Sequence, residues 1–235
     1  MLESADFDGS NDYMTRGAGL TGAADSKTGI ASFWVRLDGG DSSVQSFVTG
    51  ATHFAINRGT GGGVFQVLGY NASSTVILSM ISSTGHSASS TWLHVLASWD
   101  LASTTGKIYV NDVDDTSGSS FFSNDSIDYT DTDNAVGAFT DGTNKVNGCL
   151  AEVYFAPGQY LDFSVVNNRR RFITSSGKPV YLGADGAGPT GTAPLVYFHL
   201  SPSEAVANFA TNRGTGGNFT ITGVLAAGST SPSDF

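Results

Sequence analysis

Carboxylates are the side chains of this chain best suited to catalysis, yet their spacing predicts no catalytic pair. The 235 residues include 18 aspartates but only three glutamates, Glu3, Glu152 and Glu204. Retaining hydrolysis of a glycosidic bond needs two carboxyl groups roughly 5–5.5 Å apart, which acidic residues at alternate positions of one strand would supply. Each glutamate stands alone, and only Glu152 falls in a strand-like segment. We therefore expect no catalytic residues and no enzymatic activity.

Two aspartate-rich stretches begin like calcium-binding loops, at residues 6–12 and 131–134. Both depart from the EF-hand pattern, because the glycine is out of place and no glutamate follows at the twelfth position. Calcium ligands can also come from separated loops. Two interpretations therefore stay open for these aspartates: a calcium site, or solvated acidic turns.

Histidine, cysteine and serine show no motif typical of a metal or hydrolase site. The four histidines lack zinc-ligand spacing, and His94 and His199 lie in apolar runs where a hydrogen-bonded structural role is expected. Cys149 is the single cysteine, so it forms no internal disulfide and we expect a small buried side chain. No Gly-x-Ser-x-Gly motif is present, which leaves a serine hydrolase without local support.

Composition and charge exclude several classes of partner. The net charge is −10 with only 11 Lys and Arg residues, too few for the basic stripe that nucleic acids require. The same charge disfavours binding to an anionic membrane, and no apolar stretch is long enough to span one. Residues 1–6 have neither a basic nor an apolar segment, so we expect no secretory signal. With 40% hydrophobic residues, the chain can still bury a sizeable core.

The elements that must position any site are short strands. Up to about residue 157, apolar runs alternate with turn dipeptides such as Asp38-Gly39 and Asn147-Gly148, a pattern typical of a β-sandwich or barrel. The run 92–99 is apolar on both of its alternating faces, which predicts a sheet covered on both sides.

One helix is predicted at residues 162–172, with Asp162 as its N-cap and the arginines at 169–171 in its last turn. We interpret these arginines as a helix end rather than an anion-binding patch. The hexapeptide Asn-Arg-Gly-Thr-Gly-Gly occurs twice, at 57–62 and 212–217. Neither copy has the lysine of a phosphate-binding loop, so we expect two hairpin loops.

Three segments taken in chain order carry a family resemblance. Residues 7–13, the hairpin 92–111 and the strand 146–155 resemble the opening strand, central hairpin and closing strand of laminin-G-like, concanavalin-A-like jelly rolls. The resemblance implies an all-β, antiparallel jelly-roll sandwich with one short helix. Residues 1–157 would form its main part, and residues 158–235 a C-terminal tract that completes or covers it.

The C-terminal tract is in turn similar to that of jelly-roll proteins from tailed bacteriophages, on the residues 168–172, 177–180, 183–191 and 208–223. This resemblance implies a non-enzymatic virion surface protein, either a capsid decoration or a tail fibre or tip component. It would assemble in the host cytoplasm, with other virion proteins as partners. Apolar strand faces beyond what one core needs also suggest self-association or docking on a capsid shell.

The alternative is a carbohydrate-binding module that recognises host surface glycans, with calcium as an optional ligand. Its candidate binding residues are aromatic side chains in loops that could stack on sugar rings, namely Tyr70, Phe121, Phe122 and Tyr129. The other interpretation is that these four aromatic residues belong to the core or to an interface.

Overall fold

Two antiparallel sheets of eight strands each form the body of the protein. Residues 3–234 are described, in a computed structural model. Sheet A contains β1 (Ala5–Asp8), β3 (Thr28–Leu37), β8 (Trp92–Asp100), β9 (Thr105–Val110), β10 (Val113–Asp114), β13 (Asn147–Pro157), β14 (Val196–Phe198) and β16 (Ala226–Ala227). Sheet B contains β2 (Tyr13–Thr15), β4 (Gln45–Gly50), β5 (Phe54–Arg58), β6 (Val64–Tyr70), β7 (Val76–Gly85), β11 (Phe121–Phe122), β12 (Asn134–Val136) and β15 (Thr220–Thr222). The predicted all-β sandwich is confirmed.

The strand order shows how distant parts of the chain meet. Sheet A runs β10-β9-β8-β3-β13-β1-β16, with β14 also paired to β13, and sheet B runs β11-β7-β6-β5-β4-β12-β2-β15. The late strands β14 and β16 therefore join sheet A, while β15 joins sheet B.

The core between the sheets follows from the two-residue period of the strands. Phe33 of β3, Phe47 of β4 and Val95 of β8 are all buried in it. The rings of Phe33 and Phe47 stack with centroids 4.8 Å apart across the two sheets. Such aromatic pairs add to the free energy gained by burying apolar surface.

A third layer covers the outer face of sheet A. Phe163, Phe172 and Leu182, from the segment after β13, pack with Leu96 of β8 and Tyr154 of β13 in a second buried cluster. This confirms that the run 92–99 is covered on both sides, because its alternate residues Val95, Ala97 and Trp99 lie in the core between the sheets.

The helix is shorter than predicted. Helix α1 spans only Val166–Arg169, and Val165 rather than Asp162 precedes it, without a side-chain cap. Asp162 instead begins a turn, since its Oδ1 accepts the Ser164 N–H at 2.8 Å. The prediction of Asp162 as N-cap was therefore wrong. Arg169 and Arg170 do end the helix, and both pair with Asp112, at 2.6 and 2.7 Å.

The repeated hexapeptide adopts two different structures. The first copy closes the β5–β6 hairpin as predicted, where the Gly59 N–H donates to Val64 O at 2.9 Å. The second copy lies beside β14 and is not a hairpin, so that prediction was wrong. The Asn212 side chain acts there like a neighbouring strand, because its Oδ1 accepts the Tyr197 N–H and its Nδ2 donates to Leu195 O, both at 2.8 Å.

Candidate functional site

The outer face of sheet B carries a row of side chains across four strands, which is exposed at β11 and buried at Ala55 of β5. Phe121 of β11 pairs with Ser79 of β7, Ser79 with Leu68 of β6, and Leu68 with Ala55 of β5. The alternate residues of these strands point into the core, so this row must point outward. The Phe121 ring is 50% exposed, while Ser79 and Leu68 are half-buried.

A second row on the same face consists mainly of amides and a hydroxyl. Gln66 of β6 pairs with Asn57 of β5, and Asn57 with Ser46 of β4. The Gln66 Nε2 donates to Ser79 Oγ at 3.3 Å, which links the two rows, and the Ser46 hydroxyl donates to Asn57 Oδ1 at 2.9 Å. Ser46 and Asn57 are buried, at 0% and 7% exposed, so Gln66 is the member of this row that a ligand can reach. An apolar ring beside such an amide can bind a sugar ring and its hydroxyls.

We call this surface, defined by Tyr70, Phe121, Leu68, Gln66 and Ser79, the sheet B surface. A polar pocket lies just beyond the end of β6, since Asn71 follows Tyr70 directly. It has a volume of about 230 Å³ and is lined by Asp25, Asn71, Ala72, Ser73, Asp125 and Ser126.

This pocket, named here the Asp125 pocket, has an ordered set of polar groups. Asn71 donates from Nδ2 to Asp125 Oδ2 at 2.8 Å, and its Oδ1 accepts the N–H groups of Ser73 and Thr75. Burial raises the pKa of Asp25, and the neighbouring Asp128 carboxylate raises it further. The pocket therefore combines a fixed amide with carboxylates that can accept hydrogen bonds from hydroxyl groups.

The four aromatic residues proposed from sequence have different environments. Phe121 is exposed on the edge strand β11, and Tyr70 is half-buried on β6, two strands further into sheet B. Phe122 is partly buried against the core. Tyr129 was wrongly expected in an exposed loop: it is only 3% exposed, because its hydroxyl accepts the Trp99 Nε1–H at 3.0 Å inside the sandwich.

The two aspartate-rich stretches are used to hold loops. Asp131 accepts the His53 N–H and contacts His53 Nδ1, both at 2.9 Å. Asp8 Oδ1 accepts the N–H groups of Ser10 and Asn11 at 2.7 and 3.0 Å. Because these oxygens already satisfy backbone donors, the geometry favours acidic turns over calcium loops at these positions.

One grouping in the described part of the chain has potential metal-ligand atoms close together, those of Asp6, Asp38 and Cys149, all within 4.8 Å of one another. Asp38 is occupied by a two-point contact with Arg36 at 2.8 Å. Burial, followed by the nearby Asp6, raises the pKa of Cys149 to about 12. A metal needs the thiolate, so a neutral thiol makes this a poor metal site.

A buried polar network that sequence analysis did not detect surrounds Glu152. Glu152 is 2% exposed and has a φ of +50°, at an irregularity in the pairing of β13 with β3. Its carboxylate accepts the Tyr197 hydroxyl at 2.8 Å and contacts His199 Nδ1, while His199 Nε2 lies 3.2 Å from Ser201 Oγ. Glu152 and His199 are too far apart in sequence for a local motif to reveal this network.

The connectivity Ser201–His199–Glu152 is that of a hydrolase triad, but its electrostatics do not suit one. The Ser201 N–H, which would be available to stabilise an oxyanion, donates to Glu204 Oε2 at 2.7 Å. A carboxylate beside the hydroxyl opposes the negative charge of an acyl-transfer intermediate. Both Glu152 oxygens are engaged as well, so the network is best explained as a tie between β13 and the segment after β14.

A laminin G-type family model, described as the concanavalin A-like lectin/glucanases superfamily, matches residues 8–158. The chain therefore belongs to the concanavalin A-like lectin/glucanase superfamily. No curated protein matches it in sequence. Among the described residues, no helix is long and apolar enough to cross a membrane.

Two solved structures show the same fold. A protein from Bacteroides ovatus, provisionally described as carbohydrate binding, superposes with a TM-score of 0.67 at 16% identity, over 97% of this chain and 60% of its own. The chain thus spans about 60% of the length of that protein. A heptameric SAP-like pentraxin from Limulus polyphemus superposes with a TM-score of 0.56 at 9% identity, over 100% of this chain and 98% of its own. At these identities the likeness concerns the fold alone.

Proposed function

We propose that this protein is a non-enzymatic carbohydrate-binding module that holds a saccharide on the sheet B surface. The observation that carries this proposal is the placement of the half-exposed Phe121 ring beside the amide of Gln66 and the hydroxyl of Ser79. The Bacteroides ovatus protein, described as carbohydrate binding, supports the same ligand class.

The architecture supports this choice of face. The third layer occupies the outer face of sheet A with a buried apolar cluster, whereas Phe121, Leu68 and Gln66 of sheet B keep contact with solvent. The Asp125 pocket at the end of β6 would accept hydroxyl groups of a further sugar residue. A calcium ion bound there would have to displace the hydrogen bonds that Asp125 accepts from Asn71 and Ser126.

The test is a glycan array, probed with and without calcium, followed by affinity measurements on a saccharide that binds. We expect Phe121→Ala to weaken binding about tenfold, because stacking on an exposed ring is lost while the fold is kept. The matched control is Tyr181→Ala, which removes another exposed aromatic ring, 63% exposed, from the segment after helix α1. Its affinity should equal that of the wild type.

Two outcomes would contradict the proposal: no binding to any glycan in either condition, or equal losses in the two variants. The variant Asp125→Asn tests whether calcium binds in the Asp125 pocket. It keeps the shape of the pocket but removes the charge, so a calcium requirement that disappears in this variant would assign the ion to the Asp125 pocket.

The location on a virion surface remains a prediction from the resemblance of the C-terminal tract to bacteriophage proteins. A saccharide-binding surface would suit a capsid decoration or tail protein that attaches to host glycans. Mass spectrometry of purified particles should detect the chain, and electron microscopy should place it on the exterior. Its absence from the particles would refute this location without affecting carbohydrate binding.

A further inference from the structure

Most of the sheet B surface belongs to the longest part of the chain that has no charged residue. Residues 59–99 contain no Asp, Glu, Lys or Arg, although these residues make up 14% of the whole chain. This part of the chain includes all of β6 and β7, which form the middle of the surface. Strand β11 at its edge consists of Phe121 and Phe122. The side chains on which a saccharide would lie are therefore all uncharged.

The cationic side chains of the neighbouring strands point away from this surface. Arg58 of β5 alternates with Ile56, which lies in the core. Its side chain is only 1% exposed, and its Nε donates to His86 O at 2.7 Å. Lys107 of β9 shares the face of Tyr109, which packs under the third layer on the outer side of sheet A. A saccharide on the sheet B surface thus meets neither cation.

The charge that borders the surface is mainly negative. Asp25 and Asp125 line the Asp125 pocket at the end of β6. Burial raises the pKa of Asp25, and the charge of Asp128 close by raises it further, as expected where carboxylates are gathered together. Lys27 is also present at this end, where its Nζ donates to Asn124 Oδ1 at 2.8 Å. The carboxylates outnumber this ammonium group, so the pocket end of the surface is acidic.

A carboxylate or sulfate group on a saccharide would be disfavoured here for two reasons. It would leave water for a surface of uncharged side chains, where no cation replaces its hydration. It would also be repelled by the acidic pocket and by a chain whose net charge is −10. A neutral sugar meets neither cost, because its hydroxyl groups exchange water for the amide of Gln66 and the hydroxyl of Ser79.

We propose that the sheet B surface selects neutral saccharides and rejects those that carry uronic acid, sialic acid or sulfate groups. Rejection of a competitor by an unpaired charge is a general source of binding specificity. This selectivity depends on the proposed function, because it concerns the ligand of the same surface. It adds the class of saccharide that the surface accepts.

The first experiment is a glycan array on which each neutral glycan is printed beside its sialylated and sulfated derivatives. Galactan and polygalacturonate extend the comparison to polysaccharides. We expect the neutral member of a pair to bind at least about tenfold more tightly than its acidic derivative. Its affinity should also be the same at about 50 and about 500 mM NaCl, because salt screens only interactions between charges.

The variant Gln66→Lys tests whether the selection belongs to the sheet B surface. It places an ammonium group among the uncharged side chains, so the preference for the neutral over the acidic glycan should fall about tenfold. The matched control is Thr222→Lys, an exposed position on β15 that is five strands from β6. At roughly 4.8 Å per strand, the control charge lies beyond the Debye length of about 8 Å. Its preference should equal that of the wild type.

An acidic glycan that binds as tightly as its neutral counterpart would overturn the proposal. So would an affinity that falls as salt is added, or equal preferences in the two lysine variants. The array and the salt series use the wild type, so they remain decisive even if Gln66→Lys does not fold. Binding confined to acidic glycans would refute the selection and leave carbohydrate binding established, whereas no binding to any glycan would refute both.

Discussion

At the scale of single residues, buried polar groups meet partners from distant parts of the chain. The His94 ring lies between β3 and the covering layer, with Nε2 2.9 Å from Ser32 Oγ. Its Nδ1 is buried with no partner in the described part of the chain. The nearby Asp112 carboxylate opposes the effect of burial on the His94 pKa, but burial dominates, because a charge placed in this site loses its hydration.

This environment predicts an acid sensitivity that depends on one histidine. In the unfolded chain His94 binds a proton below about pH 6.5, whereas in the folded protein its pKa is lowered to about 3 by burial. The unfolded state thus holds more protons in that range, so the free energy of unfolding falls by up to about 1.4 kcal/mol for each pH unit below 6.5. His94→Gln removes this contribution.

We expect the wild type to lose about 2 kcal/mol more than His94→Gln between pH 7 and 5. Urea denaturation at each pH measures it. The other histidines are present in both proteins, so their titration cancels in the comparison. Parallel pH profiles for the two proteins would show that the folded protein binds the proton after all.

At the scale of elements, alternation along a strand was the strongest signal in the sequence. The apolar second face of β8, which carries Trp92 and Leu96, predicted a covering layer, because a strand covered on both sides has no polar face. Helix α1 was harder to predict. Val165 and Val166 are β-branched and about half exposed, so they favour helix poorly.

The contact that orients α1 lies beyond the reach of local sequence analysis. Arg169 and Arg170 pair with Asp112, a residue 57 and 58 positions earlier in the chain.

The burial of the candidate site residues is also not determined by the local sequence. Phe121 could be proposed from its loop context, whereas Tyr129 in a similar context proved buried. The cavity lined by Trp34, Trp92 and Asn111 went undetected, because these residues come from segments that only tertiary folding brings together.

At the scale of the whole molecule, the chain covers its own apolar surface. Apolar strand faces in excess of one core first suggested self-association or docking on a shell. The cluster formed by Leu96 and Tyr154 with Phe163 and Phe172 shows that the segment after β13 takes this place. The excess apolar surface therefore no longer supports self-association, which stays an untested prediction.

The covering segment predicts that residues 1–157 cannot be stable alone. Removing residues 158–235 would expose Ile30, Leu96 and Tyr154 on sheet A and delete β14, β15 and β16 from the two sheets. Each large apolar side chain that loses its cover costs about 1.5–3 kcal/mol, and three of them approach the roughly 5–15 kcal/mol that stabilises a whole domain. The truncated chain should therefore aggregate or bind a hydrophobic dye, as measured by light scattering and fluorescence, and adding residues 158–235 as a separate chain should reverse this. A soluble, cooperatively melting monomer of residues 1–157 would instead show that the sandwich is complete without its third layer.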